Sequence, residues 1–133
     1  MPTSPPSLAD LRAVVQPAGV VGRRSAEHWA GRLYMRRVSL HVTRRLVTWP
    51  VTAHQLTAAM IVVGLAAAGV LALPGVGTAV AAAALIQLYL LLDCVDGEVA
   101  RWHGTTGAAG VYLDRLGHHV VEGALLVGLG VRA

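Results

Sequence analysis

The chain has 133 residues, of which 55% are hydrophobic and 14% charged, and its mean hydropathy is +0.59. That balance excludes an ordinary soluble domain and points to a single membrane domain. The net charge of +4 comes from arginine alone, since there is no lysine, and most arginines fall between Arg23 and Arg45. A basic block beside apolar spans suits anionic lipid headgroups better than nucleic acid. The one cysteine, Cys94, excludes an intrachain disulfide framework and a cysteine-based zinc site.

Residues 1–24 read as a flexible arm. The Pro/Ser-rich start carries no short apolar core of a signal peptide, and Pro17 breaks the pattern that follows. Residues 25–49 read as an amphipathic juxtamembrane helix, with Ser25 as N-cap and Glu27 in its first turn. Met35, Val38, Val42 and Leu46 recur at helical spacing, with Arg32, Arg36, Arg37, Arg44 and Arg45 between them. Such a helix lies in the membrane interface, with Trp29, Tyr34 and Trp49 at headgroup depth, and Pro50 ends it. The blander alternative is a soluble amphipathic helix.

Residues 50–133 read as the transmembrane domain. A first span covers about Leu56–Leu73, and a tight turn follows through Thr78. A second span begins near Ala79. Its apolar part ends at Leu92, and its helix continues through Ala100 with acidic residues at the membrane exit. Residues 102–109 read as a loop, and a third span covers about Gly110–Val131. The fold class is therefore an all-α membrane protein, an interfacial helix followed by three spans. The arginines fall on one side of this layout, which puts the N-terminus and the acidic segment on the cytoplasmic side.

On a helix, Asp93, Asp96, Gly97 and Ala100 share one face, as do Asp114 and His118. The short loop predicts that the two helices are antiparallel neighbours with their polar faces together. Carboxylates gathered there repel one another unless cations are present, and oxygen ligands favour Mg²⁺ or Mn²⁺. Taken alone, paired aspartates on a helix are more often a solvated face, and small residues in a span more often packing contacts.

The spacing D-x-x-D-G-x-x-A-R-x8-G-x3-D-x3-(D/H), from Asp93 to His118, resembles the signature of the CDP-alcohol phosphotransferases. The match covers Asp93, Asp96, Gly97, Ala100, Arg101, Gly110 and Asp114. The resemblance implies transfer of a substituted phosphate from a CDP-linked donor, such as CDP-diacylglycerol, to an alcohol acceptor in phospholipid synthesis, with release of CMP. It implies that Asp93, Asp96 and Asp114 bind Mg²⁺ or Mn²⁺ and the CDP pyrophosphate. It further implies that Gly97, Ala100, Arg101 and Gly110 line the nucleotide, and that residue 118 is both a metal ligand and the catalytic base. The family's fourth aspartate is replaced here by His118, which can also serve as a base. Glu122, one turn on, is expected to orient the imidazole, or else to be a packing contact. His119 reads as structural and His103 as solvated. The segment from Thr52 to Thr57 resembles the family's T-P-N-x-x-T entry to the first span, with Ala53 and His54 in place of proline and asparagine.

The resemblance runs from about Arg32 to Ala133, the first half of a six-helix family core. The chain is therefore expected to be a fragment, a truncated non-catalytic member that binds nucleotide and metal or acts as a membrane subunit, or a protein that pairs with itself or another chain to supply the missing helices. A fragment of a cation channel or transporter could also carry intramembrane carboxylates, but it leaves the glycine and arginine positions unexplained. CDP-diacylglycerol, an alcohol and membrane lipids are the expected partners, and nucleic acid is not.

Overall fold

The computed structural model describes residues 4–17 and 34–133, and the described residues are entirely helical and coil. Helix α1 spans Leu8–Val15, α2 Arg36–Leu46, α3 Ala53–Leu71, α4 Val76–His103 and α5 Ala108–Arg132. The proposed cap at Ser25 and the residues Glu27, Trp29 and Arg32 lie outside the described residues.

The first difference from expectation is α1, which forms within the expected flexible arm. Ser7 caps it, its Oγ accepting from the Asp10 N–H at 3.1 Å. Leu11 and Val15, on one helical face, are fully buried against Leu40 and Val47, with Leu8 and Trp102 packed alongside. The prolines on either side of these residues bound a helix rather than prevent one.

The second difference is the face that α2 buries. Met35, Leu40 and Val47 are buried, but so are Ser39 and Thr43, while Val38 is exposed. Val42 and Leu46 are only partly covered. The helix is rotated toward its two hydroxyl residues because both donate to Glu98 of α4, Ser39 Oγ at 2.7 Å and Thr43 Oγ1 at 2.6 Å. Burying a carboxylate demands such donors, and that demand overrides the apolar stripe. The helix gives way to a turn over Val47–Pro50.

Helix α3 starts on a reciprocal capping box. Thr52 Oγ1 accepts from the Gln55 N–H at 3.2 Å, and the Thr52 N–H donates to Gln55 Oε1 at 3.1 Å. A turn through Gly75, whose φ of 108° suits glycine, leads into α4. Helix α4 ends at Gly104, in the left-handed conformation at φ 65°. Arg132 near the end of α5 donates to the carbonyls of Leu73 (2.6 Å) and Gly75 (2.5 Å), so α5 returns to the α3–α4 turn, antiparallel to α4.

The sequence predicts that α4 and α5 are direct neighbours. They run antiparallel and meet at the motif end, where His118 Nε2 is 3.3 Å from Asp93 Oδ1, but α3 is their common partner and each packs mainly on it. Small residues permit this. A Cβ on Gly128 would lie 2.5 Å from the Ala68 carbonyl oxygen, and one on Gly117 would lie 2.8 Å from the Ile61 side chain. A cleft lies between the motif ends of α4 and α5 and the start of α3.

Among the described residues two helices, α3 and α4, are long and apolar enough to cross a membrane. Their outward faces, with Val62, Leu65, Val80 and Leu88, are apolar and exposed, as are Leu126 and Val127 on α5. Such a surface suits lipid as solvent. Helix α5 has 25 residues, enough for a span by length.

Candidate active site

The last three turns of α4 carry Asp93, Asp96, Gly97, Ala100 and Arg101, and the first turns of α5 carry Gly110, Asp114 and His118. Between them and the N-terminal turn of α3 lies a cavity of about 210 Å³. Helix α4 contributes Asp96, Gly97, Ala100 and Arg101 to its wall, and α5 contributes Gly110, Val111 and Asp114. The turn from Thr105 to Gly107 closes one side, and Ala53, His54 and Thr57 of α3 form the floor. Six of the expected nucleotide residues thus line one cavity: Asp96, Gly97, Ala100, Arg101, Gly110 and Asp114.

The seventh, Asp93, stands beside the cavity in a second grouping. Ligand atoms of Asp93, Asp114 and His118 lie within 4.8 Å of one another. His118 Nε2 is 3.3 Å from Asp93 Oδ1, and Nδ1 is 3.3 Å from Asp114 Oδ1. The closer partner of Nδ1 is the Asp114 backbone carbonyl, at 3.0 Å. That carbonyl can only accept, so the pattern assigns the proton to Nδ1 and, in the neutral ring, the lone pair to Nε2.

Asp96 stands apart from this trio. It is buried, and its Oδ2 accepts from Thr57 Oγ1 at 2.8 Å. The expected set of four metal residues is therefore divided, with three together and Asp96 turned to α3. Asp114 belongs to both groupings. Glu122, expected to orient His118, is exposed, and among the described residues the two ring nitrogens face Asp93 and Asp114 instead. The i, i+4 spacing that suggests Glu122 also fits Asp114, which lies on the pocket side. His119 is exposed, with Nδ1 2.6 Å from the Arg115 carbonyl, and His103 is exposed.

The trio fits a divalent cation in its donor chemistry. Two carboxylates supply hard oxygen ligands and an imidazole supplies one nitrogen. Asp114 Oδ1 is buried without a hydrogen-bond partner among the described residues. A buried carboxylate oxygen in that state carries an unmet demand that a cation meets. The cavity also has room. A Cβ on Gly110 would meet nothing within 4 Å, so this glycine opens space rather than relieving a helix contact. Gly97 is different, since its Cβ would stand 3.3 Å from Arg101 Nη1.

Three residues about the site escape a reading of the motif. Thr57 holds Asp96, and its only sequence signal is the weak likeness of residues 52–57 to the family's entry segment. Glu98, an unspecified position of the motif, is 1% exposed and accepts from three side chains. Tyr89, one turn before Asp93, packs its ring 5.7 Å from that of His118, and its hydroxyl is buried without a partner among the described residues. A tyrosine in an apolar run gives no signal of that kind.

No curated protein matches the chain. The family model for CDP-alcohol phosphatidyltransferase matches residues 50–133, a shorter stretch than the expected one from Arg32, and it takes in every cavity and trio residue. The chain therefore belongs to the CDP-alcohol phosphatidyltransferase family, membrane transferases of phospholipid synthesis that act on CDP-alcohols and alcohols with a divalent metal.

Proposed function

We propose that the chain transfers a phosphatidyl group from CDP-diacylglycerol to an alcohol acceptor and releases CMP. The observation that carries this reading is the convergence of six motif residues on one cavity, with the Asp93, Asp114 and His118 trio at its side. Asp93 and Asp114 would hold Mg²⁺ or Mn²⁺, with Asp96 available from the cavity wall, which leaves the one lone pair of a neutral His118 for the proton. When bound, such an ion neutralises the charge of the phosphates. The Arg101 guanidinium and the Thr105 and Thr106 hydroxyls would bind pyrophosphate oxygens, and the space beside Gly97, Ala100 and Gly110 would take the cytidine.

His118 Nε2 would accept the proton of the acceptor hydroxyl as its oxygen attacks the phosphorus beside the diacylglycerol. The phosphorus–oxygen bond to CMP breaks, and its electron pair leaves with CMP. Asp114 would position the base by accepting the Nδ1–H hydrogen bond on its backbone carbonyl oxygen. The membrane layout belongs to the same proposal, with α5 as third span and with the N-terminus and site facing the cytoplasm. So does association with a second copy or another chain, which oligomeric state in detergent tests.

One observation favours a second reading, a non-catalytic member of the family. A protonated His118 would pair its charge with both Asp93 and Asp114, at 3.3 Å each, and stand where a cation would. The two readings part in one assay. The purified chain is given labelled CDP-diacylglycerol, a panel of alcohols and Mn²⁺ or Mg²⁺. Acceptor-dependent CMP release, abolished by EDTA and by Asp96→Ala, is the expected result. Metal-dependent binding of CDP without CMP release would favour the second reading, and absence of both would overturn the first and the second.

A further inference from the structure

We propose that helix α1, which lies outside the family-matched residues, is a positioning element of the nucleotide pocket that sets Arg101 through the carbonyl of Val15. This inference rests on the transfer reading. Arg101 Nε donates to the Val15 oxygen at 2.6 Å, across 86 residues of sequence. Its terminal nitrogens lie along Gly97 at the cavity wall, where a Cβ would meet Nη1 at 3.3 Å and Nη2 at 3.7 Å. The tether thus uses the nitrogen that a phosphate fork does not need and leaves the two that it does. A free arginine loses much rotamer freedom on binding, and one held at Nε has already lost most of it.

Three further hydrogen bonds and a buried apolar face keep α1 from drifting. Gln16 Nε2 donates to Glu98 Oε1 at 2.6 Å and to the Arg36 carbonyl at 2.9 Å. Arg44 Nε donates to the Pro6 carbonyl at 2.7 Å, and Leu11 and Val15 are buried without remainder. Because Glu98 precedes Arg101 by three residues on α4, the carboxylate that accepts from Gln16 and the guanidinium that donates to Val15 fix the same turn. None of these contacts touches Asp93, Asp114 or His118.

The full chain in detergent tests this with two probes, CDP in the presence of Mn²⁺, and Mn²⁺ alone. Leu11→Asp undocks α1, and Gln16→Ala removes one anchor while leaving the helix its apolar face. CDP affinity should fall about tenfold in the first and about threefold in the second, with Mn²⁺ affinity unchanged in both. In an Arg101→Lys background, which lacks the tethered nitrogen, undocking should cost no further CDP affinity. A merely structural α1 would instead weaken both ligands together, or neither. Wild-type binding of CDP matched by both variants overturns this inference alone. A wild-type chain that takes up no CDP overturns the transfer reading, and this inference with it.

Discussion

Helix α4 presents two carboxylate regions, one toward α5 and one toward α1 and α2, and they are in opposite states. Glu98 is 1% exposed and saturated, its two oxygens taking Gln16, Ser39 and Thr43 at 2.6 to 2.7 Å. Asp93 and Asp114 are partly exposed and share one histidine at 3.3 Å, and that same Asp114 oxygen, Oδ1, accepts no hydrogen bond among the described residues. A carboxylate whose lone pairs are filled by its own protein is architecture. One whose lone pairs are unfilled in a cleft is available to a ligand. Residue type and helix position are almost the same in the two cases, so donor supply, not burial alone, separates them.

The sharpest break of this contrast is to remove the unfilled carboxylate. Asp114→Ala should lower CMP release by about a hundredfold or more, because it removes a charge from the reacting end of the cavity. Thermal stability should hardly change, or should rise as repulsion with Asp93 is relieved. Initial rates and an unfolding curve on the same sample check both halves, and a large loss of stability would place Asp114 with Glu98 instead. Removing the filled carboxylate should do the reverse. Glu98→Ala leaves Gln16, Ser39 and Thr43 without an acceptor in a buried site and should destabilise the chain by about 2–4 kcal/mol. Mn²⁺ affinity of the protein that stays folded should not change, since Asp93 lies on another face of α4 and Asp114 and His118 lie on α5.

The difference between the two regions also decides what could be read from the sequence. The cavity face was legible because Asp93, Asp96, Gly97 and Ala100 obey the helical period within one helix, and local spacing needs no tertiary contact to interpret. Glu98 lies in the same segment but was illegible. Its role exists only once Gln16 and Ser39 arrive from 82 and 59 residues away. The same long-range cause reset the buried face of α2, whose apolar spacing at Val38, Val42 and Leu46 was plain and was overruled by two hydroxyls. Helix α1 was hidden by its proline flanks, although Ser7 and the spacing of Leu8, Leu11 and Val15 carried the signal of a capped amphipathic turn. The three long helices were legible from hydropathy, within a few residues at each end. Their packing was not, because nothing local says that α3 rather than the α4–α5 loop decides who neighbours whom.

That packing offers a smaller test, one that leaves both carboxylate regions chemically intact. Gly128→Ala places a Cβ 2.5 Å from the Ala68 carbonyl oxygen, and backbone cannot rotate away as a side chain can. The α3–α5 contact should open at a cost of about 1–3 kcal/mol. Gly123→Ala, on the same helix with nothing within 4 Å of its Cβ, is the control and should be neutral or stabilising. Equal melting temperatures for the two variants would show that α5 does not close on α3 at Gly128.

The smallest effect lies between the two carboxylate states, at Asp96. It is buried like Glu98, yet it lines the cavity like Asp114, and Thr57 is its one side-chain hydrogen-bond donor among the described residues. One side-chain donor does not fill the lone pairs of a carboxylate, so Asp96 should behave as a ligand-ready group that Thr57 merely aims. Thr57→Val keeps the side-chain volume and removes the hydroxyl. It should cost about 1 kcal/mol of CDP affinity, roughly fivefold, while Thr57→Ser should retain the wild-type value. If Thr57→Val instead lowers stability by as much as Glu98→Ala, the single bond is structural and Asp96 belongs with the filled carboxylates. If it changes affinity and leaves stability alone, Asp96 completes the open set, held ready by a residue of α3.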